Sequence, residues 1–302
     1  MIKTPYNTFI KSMKMFFVYP DIDREYTQLV QARVNALREG MTDINTWLGL
    51  KTFIKEKPNS LDNLLIILGI STEVFKRVLS LLRIKRGFQF NTEWSISAAR
   101  NFMLQNESFM DDVISLFLTG EADCFLKENI PAYRLSSFLI TPQVIERINN
   151  DDFLEYLVKK DLETTYNSAV SQRNITVVEQ ALQDVADNLG YVLKCDISLD
   201  PVGNGTRNIQ VNYSISKEAN SDALFYVKYS FITTTSRGQS DFKRSVMDVR
   251  DYIKSKNLSA KQIVIVDGAG WVARRADLHD IWDYCDYCIT SNTLPDLTEI
   301  IK

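Results

Sequence analysis

From Arg207 to Trp271 the chain reads RNIQVNYSISKEANSDALFYVKYSFITTTSRGQSDFKRSVMDVRDYIKSKNLSAKQIVIVDGAGW. Three runs rich in β-branched and aromatic residues stand out, Asn208–Ser216, Ala223–Ile232 and Gln262–Val266. Between the second and third, Ser240–Ser255 spaces Phe242, Val246, Val249 and Ile253 at three- and four-residue steps, the period of a helix with one apolar face. The order is therefore strand, strand, helix, strand. Strands separated by a helix-length segment favour parallel pairing through a covered crossover. The last strand runs straight into Asp267-Gly268-Ala269-Gly270-Trp271, a loop at the end of an α/β core.

Upstream, Ile175–Leu189 carries Val177, Val178, Leu182, Val185 and Leu189, which predicts a helix capped by Asn174 or Thr176 and closed by Gly190. Tyr191–Ile197 follows as a strand, and the turn residues of Asp200–Gly205 predict a loop. Downstream come a helix near Arg274–Tyr284, a strand at Tyr287–Thr290 and a last helix at Leu294–Ile301.

The N-terminal half is helical in pattern. Tyr26–Arg38, with Gly40 as C-cap, and Ile44–Lys55 precede a break at Lys57-Pro58-Asn59-Ser60. Helical periodicity also runs through Ser95–Leu118 and Ala122–Val158. The expected organisation is a helical domain over 1–165 and an α/β domain over 166–302, α+β overall, with no internal repeat and no low-complexity tract.

Within the first domain, residues 61–83 have the layout of a helix-turn-helix. Leu61–Leu68 is apolar, Gly69-Ile70-Ser71 turns, and Thr72–Leu82 turns Val74, Phe75, Val78 and Leu79 inward. Lys76, Arg77 and Arg83 lie on the second helix, which in such motifs enters the major groove of DNA. Helical hairpins of this kind also arise from plain packing, and the sequence leaves both readings open.

With 302 residues, 45% hydrophobic and 24% charged, the chain has the composition of an ordinary globular protein. The longest apolar runs fall short of a membrane span, and no apolar core or cleavage-like site follows Met1, so a cytoplasmic protein without a signal peptide is expected. Cys285 and Cys288 form one C-x-x-C, but Cys124 and Cys195 stand apart and His279 is the single histidine. A structural zinc site needs four ligands, so reduced thiols are expected. Net charge is −3, yet residues 207–275 hold twelve Lys/Arg against six Asp/Glu. That asymmetry suits a surface facing a polyanion, or a solvated helix face.

The order helix–strand–strand–strand–helix–strand resembles the core of the restriction endonucleases, the PD-(D/E)XK fold, and in particular the DpnII/MboI group of type II enzymes. The likeness covers roughly the last 120 residues. Val211-Asn212-Tyr213-Ser214-Ile215 matches the family's first metal-binding strand, and Phe225–Phe231 the strand centred on Glu-x-Asn. Ser236–Arg244 matches a helix start, keeping Asp241 and Arg244, and Val266–Trp271 resembles Thr-Asp-Gly-x-Gly-Trp. The resemblance implies specific binding of duplex DNA, Mg²⁺-dependent phosphodiester cleavage, a homodimer on a palindromic site, and a cognate methyltransferase system.

At the family's catalytic positions, however, stand Asn212, Lys228 and Ser230. Mg²⁺ prefers hard oxygen ligands and is held by acidic side chains, whereas an amide is a weak ligand and a lysine repels the ion. The metal positions Asn212 and Lys228 therefore predict impaired cleavage, and three explanations stay open. The enzyme is inactivated, Asp→Asn and Glu→Lys each being a single G→A change; or the chain is a degenerate subunit that binds while a partner cuts; or the register differs. In the last case Glu179, Asp200, Glu218 or Asp222 supplies the carboxylates, Glu179 from the helix that often contributes an acid in this fold.

Lys228 is then a point charge for a phosphate, or a lysine exposed or paired at a strand end. The residues expected to touch DNA are Arg237, Gln239, Ser240, Lys243, Arg244 and Arg274, with Lys76 and Arg77 of the first domain. Arginine reads guanine and glutamine reads adenine in two bonds each. The competing reading is a non-enzymatic DNA-binding regulator acting through residues 61–83, with the α/β part as a dimerisation or partner module. An α/β enzyme acting on a small substrate is weakened by the lack of a Gly-rich phosphate loop after a strand.

Overall fold

The structure is a computed structural model and describes residues 3–39, 41, 43–202, 206–234 and 237–302. Gly40, the 203–205 part of the expected loop and Ser236 lie outside the described residues. The chain divides into two compact units, one of residues 21–166 and one of 1–20 with 167–302.

The 21–166 unit is helical. It begins with α2 (Pro20–Arg38; α1, Tyr6–Ser12, belongs with the sheet), α3 (Trp47–Glu56), α4 (Ser60–Leu68) and α5 (Thr72–Lys85). It continues with α6 (Ile96–Gln105), α7 (Glu107–Thr119), α8 (Cys124–Asn129), α9 (Ala132–Leu135) and α10 (Pro142–Ile148). Helix α11 (Asp151–Leu189) contributes its first part to this unit and its second part to the other. The core gathers Leu37, Leu50, Leu64, Phe75, Phe109 and Phe117, all close to fully buried.

Helices α4 and α5 meet as the spacing predicts. Gly69 takes the left-handed conformation (φ 66°) that ends α4, and Ser71 Oγ accepts the Val74 N–H to cap α5. Phe75, Val78, Leu79 and Leu82 of α5 are buried.

The other unit is built on a five-stranded mixed sheet of β1 (Val192–Leu199), β2 (Ile209–Ser216), β3 (Ala223–Phe231), β4 (Lys261–Asp267) and β5 (Tyr287–Ile289), in that spatial order. β1, β2 and β3 form an antiparallel meander, and β4 and β5 run parallel to β3. The crossover between β3 and β4 is α12 (Gly238–Ser255); α13 (Ala269–Ala273), α14 (Arg275–Tyr284) and α15 (Leu297–Ile300) complete the unit.

Strand alternation sorts the side chains. Phe225, Val227, Ile263 and Ile265 pack with Val178, Leu182 and Val185 of α11. Val264 and Val266 point the other way and pack with Val246 of α12, Leu278 and Ile281 of α14 and Trp271. The result is a sheet covered on both faces, with the mixed α+β character expected.

Two boundaries differ from the sequence reading. Residues 3–20, expected in the helical domain, fold with the sheet, where Phe9 and Met13 are buried beside Trp271. The helix expected to start at Asn174 or Thr176 is continuous from Asp151, because its 39 residues contain neither Gly nor Pro to break it. Asn174 is buried inside it, its Oδ1 accepting the Tyr19 hydroxyl at 2.5 Å. Among the described residues, no helix is long and apolar enough to cross a membrane.

Candidate functional site

Strands β2 and β3 pair from Ser216↔Ala223 to Tyr213↔Val227, whereas β1–β2 pairing continues to Leu199↔Ile209 and β3–β4 pairing to Phe231↔Asp267. A fork thus opens between β2 and β3, and two side chains act as its rungs. Asn212 Oδ1 accepts the Tyr229 N–H at 3.2 Å, and Lys228 Nζ donates to the Gln210 carbonyl at 2.6 Å. Each replaces a main-chain bond that the parted strands leave unmade.

On the α11 side of the fork lies a cavity of about 320 Å³, lined among others by Gln172, Glu179, Cys195, Asp196, Asn212, Tyr213 and Tyr229. Asp196 stands opposite Asn212, between the pairs Cys195↔Tyr213 and Ile197↔Val211. Its φ of 51° is a left-handed conformation that aspartate tolerates better than most residues. The Cys195 thiol lies 3.9 Å from Glu179 Oε1 and is pushed up by burial, then by the charge of Glu179. Burial also pushes the Tyr213 phenol up, reinforced by Glu179. The cavity therefore carries two exposed carboxylates, a protonated thiol and phenols that stay neutral.

The structure does not bring the expected catalytic residues together. Glu179 and Asn212 line the cavity, but Lys228 and Ser230 alternate onto the opposite, α12-facing side of β3, and the residue of β3 that does line it is Tyr229. Lys228 is 7% exposed and lies 5.8 Å from the Phe242 ring of α12. Burial lowers its pKa to about 8, against a weaker upward pull from Asp248. It is neither exposed nor at a strand end. Ser230 Oγ accepts the indole N–H of Trp271 at 3.1 Å.

Mg²⁺ does not fit these positions: the oxygen of Asn212 is spent on a backbone N–H, the Lys228 cation faces the wrong side, and Ser230 is buried under Trp271. No metal-dependent step follows from them. Of the alternative carboxylates, Glu218 and Asp222 sit at the β2–β3 turn, the end of the hairpin away from the fork. Asp200 is exposed just beyond β1 and does not line the cavity. Asp196 was not anticipated; the β1–β2 register, which alone places it opposite Asn212, would have pointed to it.

The Asp267–Trp271 stretch is structural. The Asp267 carboxylate is fully buried and accepts the Lys14 N–H through Oδ1 and both the N–H and hydroxyl of Ser291 through Oδ2, each at 2.6 Å. Burial raises its pKa and these bonds oppose the rise. Gly268 has φ 110°, and a Cβ there would meet the Ile232 carbonyl oxygen at 2.1 Å. Cys285 and Cys288 are free thiols buried near this stretch, and burial pushes Cys288 well up.

Several residues expected to read DNA are engaged elsewhere. Gln239 is fully buried and donates to the Gly270 carbonyl at 2.7 Å, so it cannot reach a base edge. Lys243 is held by Asp277 at 2.6 Å and Asp280 at 3.0 Å, and Arg274 pairs with Asp277 at 2.6 Å. In α5, Lys76 pairs with Glu73, and Arg77 with Glu73 and Glu93. Arg83 is buried between the Phe90 and Trp94 rings, 3.8 and 3.7 Å from their centroids. The α5 cations are thus tied into the fold. At the start of α12, Arg237 is 92% exposed with Asp241 at a loose 3.9 Å, Arg244 is exposed about two helical turns on, and Ser240 lies half-buried between them. Comparison with protein-family models finds none that matches the chain, and comparison with curated proteins finds no match.

Proposed function

We propose that the α/β unit binds duplex DNA in the manner of a restriction endonuclease and that this chain does not cut it. The observation that carries the reading is the connectivity: a helix, a three-stranded meander, a crossover helix and a parallel fourth strand, with the meander forking at Asn212. This is the layout that the sequence resemblance calls for. Exposed Arg237 and Arg244 at the start of the crossover helix, with its N-terminal amides, supply phosphate contacts. Cleavage is absent in this reading because Asn212 and Lys228 brace the fork instead of holding a metal ion. A homodimer on a palindromic site, and a methyltransferase that protects the same site, belong to the same proposal.

The test is fluorescence anisotropy of short duplexes at rising salt, with digestion of unmethylated DNA in Mg²⁺ alongside. Binding that weakens steeply with salt, drops in an Arg237→Ala/Arg244→Ala variant and leaves the DNA intact is the expected result. Absence of binding at low salt removes the DNA reading. Discrete fragments remove the claim that the chain does not cut, and Glu179 and Asp196 become the residues to replace. Binding that persists in the double variant but is lost on replacing Lys76 and Arg77 favours the helix-turn-helix instead.

A further inference from the structure

We propose that the helical unit binds a small zwitterion, an ammonium and a carboxylate carried on an apolar body, in a cleft at the turn between α4 and α5. The cleft measures about 540 Å³, and its walls come from α2, α4, the 69–72 turn and the first part of α11. That volume lies within the ~300–1,000 Å³ range of small-molecule sites.

Two cations, Arg33 and Lys160, and two anions, Asp62 and Asp161, line it. On the same unit Lys51 pairs with Glu107 at 2.6 Å and Lys85 with Asp123 at 2.5 Å. Among the described residues, none of the four cleft charges forms such a pair, although they share one hollow.

Asp62 is half-buried, and its carboxyl is pushed up by that burial; Arg33 pulls it back down and the charge of Asp161 pushes it up again. Two carboxylates that repel each other across a hollow are relieved by a cation between them. Lys160, Arg33 and the first-turn amides of the 14-residue α5 favour a carboxylate. Leu65 and Leu157 give the floor its apolar character. The mouth is open at Gly69, where a built Cβ meets nothing within 4 Å. A ligand of zero net charge with both signs matches a site of the same description. The simplest chemistry of that kind is a free amino acid with an apolar side chain.

The proposal stands apart from DNA binding, and either can fail alone. Its test is calorimetric titration of the full chain with L-leucine and L-phenylalanine, beside isoamylamine and 4-methylpentanoate, which each keep one charge of leucine. The expected result is that a zwitterion binds about tenfold or more tighter than either analogue. Asp62→Asn and Lys160→Gln should each weaken it about tenfold. Asp62→Asn should leave the melting temperature unchanged or higher, because the fold already disfavours the charged carboxyl; a merely structural aspartate would lower it. Should that variant not fold, the exposed Asp161→Asn carries the same comparison. No binding by either amino acid at about 10 mM, equal binding by a single-charge analogue, or undiminished binding by the variants overturns the proposal.

Discussion

Lys228 gives the sharpest quantitative consequence. Among the described residues its ammonium is buried without a carboxylate in contact, and it donates to the Gln210 carbonyl. With a folded-state pKa of about 8 against an ordinary 10.5, the charge costs about 3 kcal/mol at pH 7. Lys228→Met keeps most of the stem's packing beside Phe242, removes that cost and forfeits a hydrogen bond of about 1 kcal/mol. The variant should therefore be more stable by roughly 2 kcal/mol at pH 7.

The pH dependence has a definite sign. Because the folded value lies below the unfolded one, the unfolded chain holds the extra proton between pH 8 and 10.5, and wild-type stability rises through that window. The advantage of methionine should shrink accordingly, to about zero near pH 10. With Trp47, Trp94 and Trp282 replaced by Phe, Trp271 remains as reporter, fully buried and bonded to Ser230 two residues from the substitution. Urea unfolding of both proteins in this background at pH 7, 8, 9 and 10 measures the difference within the sheet unit. A variant less stable than wild type by the same amount at every pH would refute the reasoning. It would mean that the bond to Gln210 outweighs the cost of burying the charge.

Substitutions at three other positions test the architecture. Gly268→Ala puts a methyl 2.1 Å from a backbone oxygen at φ 110°, so a loss of about 3 kcal/mol or more is expected, read as a lower melting temperature or insoluble expression. Asp267→Asn turns an amide donor toward either the Lys14 N–H or the Ser291 donors, at about 1–3 kcal/mol, and hydrogen exchange should quicken in residues 5–17 before it does in β3. Asn212→Ala leaves the Tyr229 N–H without its acceptor and should cost about 1–2 kcal/mol in urea unfolding, whereas Asn212→Asp keeps an acceptor and should cost less than half of that.

The fold was largely legible, because it rests on local signals that agree with one another. The apolar period of α12, the β-branched runs on either side and the Gly69–Ser71 turn each specify one conformation, and each element forms where its pattern lies. What escaped depends on contacts between residues far apart in sequence. The segment 3–17 looks like any short amphipathic stretch until the Asp267 carboxylate, more than 250 residues on, accepts the Lys14 N–H and holds it against the sheet. Nor does composition distinguish a free cation from a paired one. Lys243 reads as a DNA contact because its acids, Asp277 and Asp280, lie a helix away, whereas the acid of Arg274, Asp277, stands only three residues on and was within reach of the sequence.

The place of Lys228 has a different, local origin. The sequence match rests on the polarity of Lys228 and Ser230. Alternation instead divides the strand into Phe225, Val227, Tyr229 and Phe231 on one side and Tyr226, Lys228 and Ser230 on the other. Because α11 carries Glu179 and packs against the first set, a site shared with Glu179 can draw on β3 only through Tyr229 and its neighbours on that face. A lysine on the other face is enclosed by α12 whatever the register of β2. Its neighbours there are Phe242 and the Gln210 carbonyl, which give it the task of bracing a fork and deny it contact with the cavity. The face on which a residue stands thus sets a limit on its chemistry before its identity does, and that limit keeps Lys228 out of any site shared with Glu179.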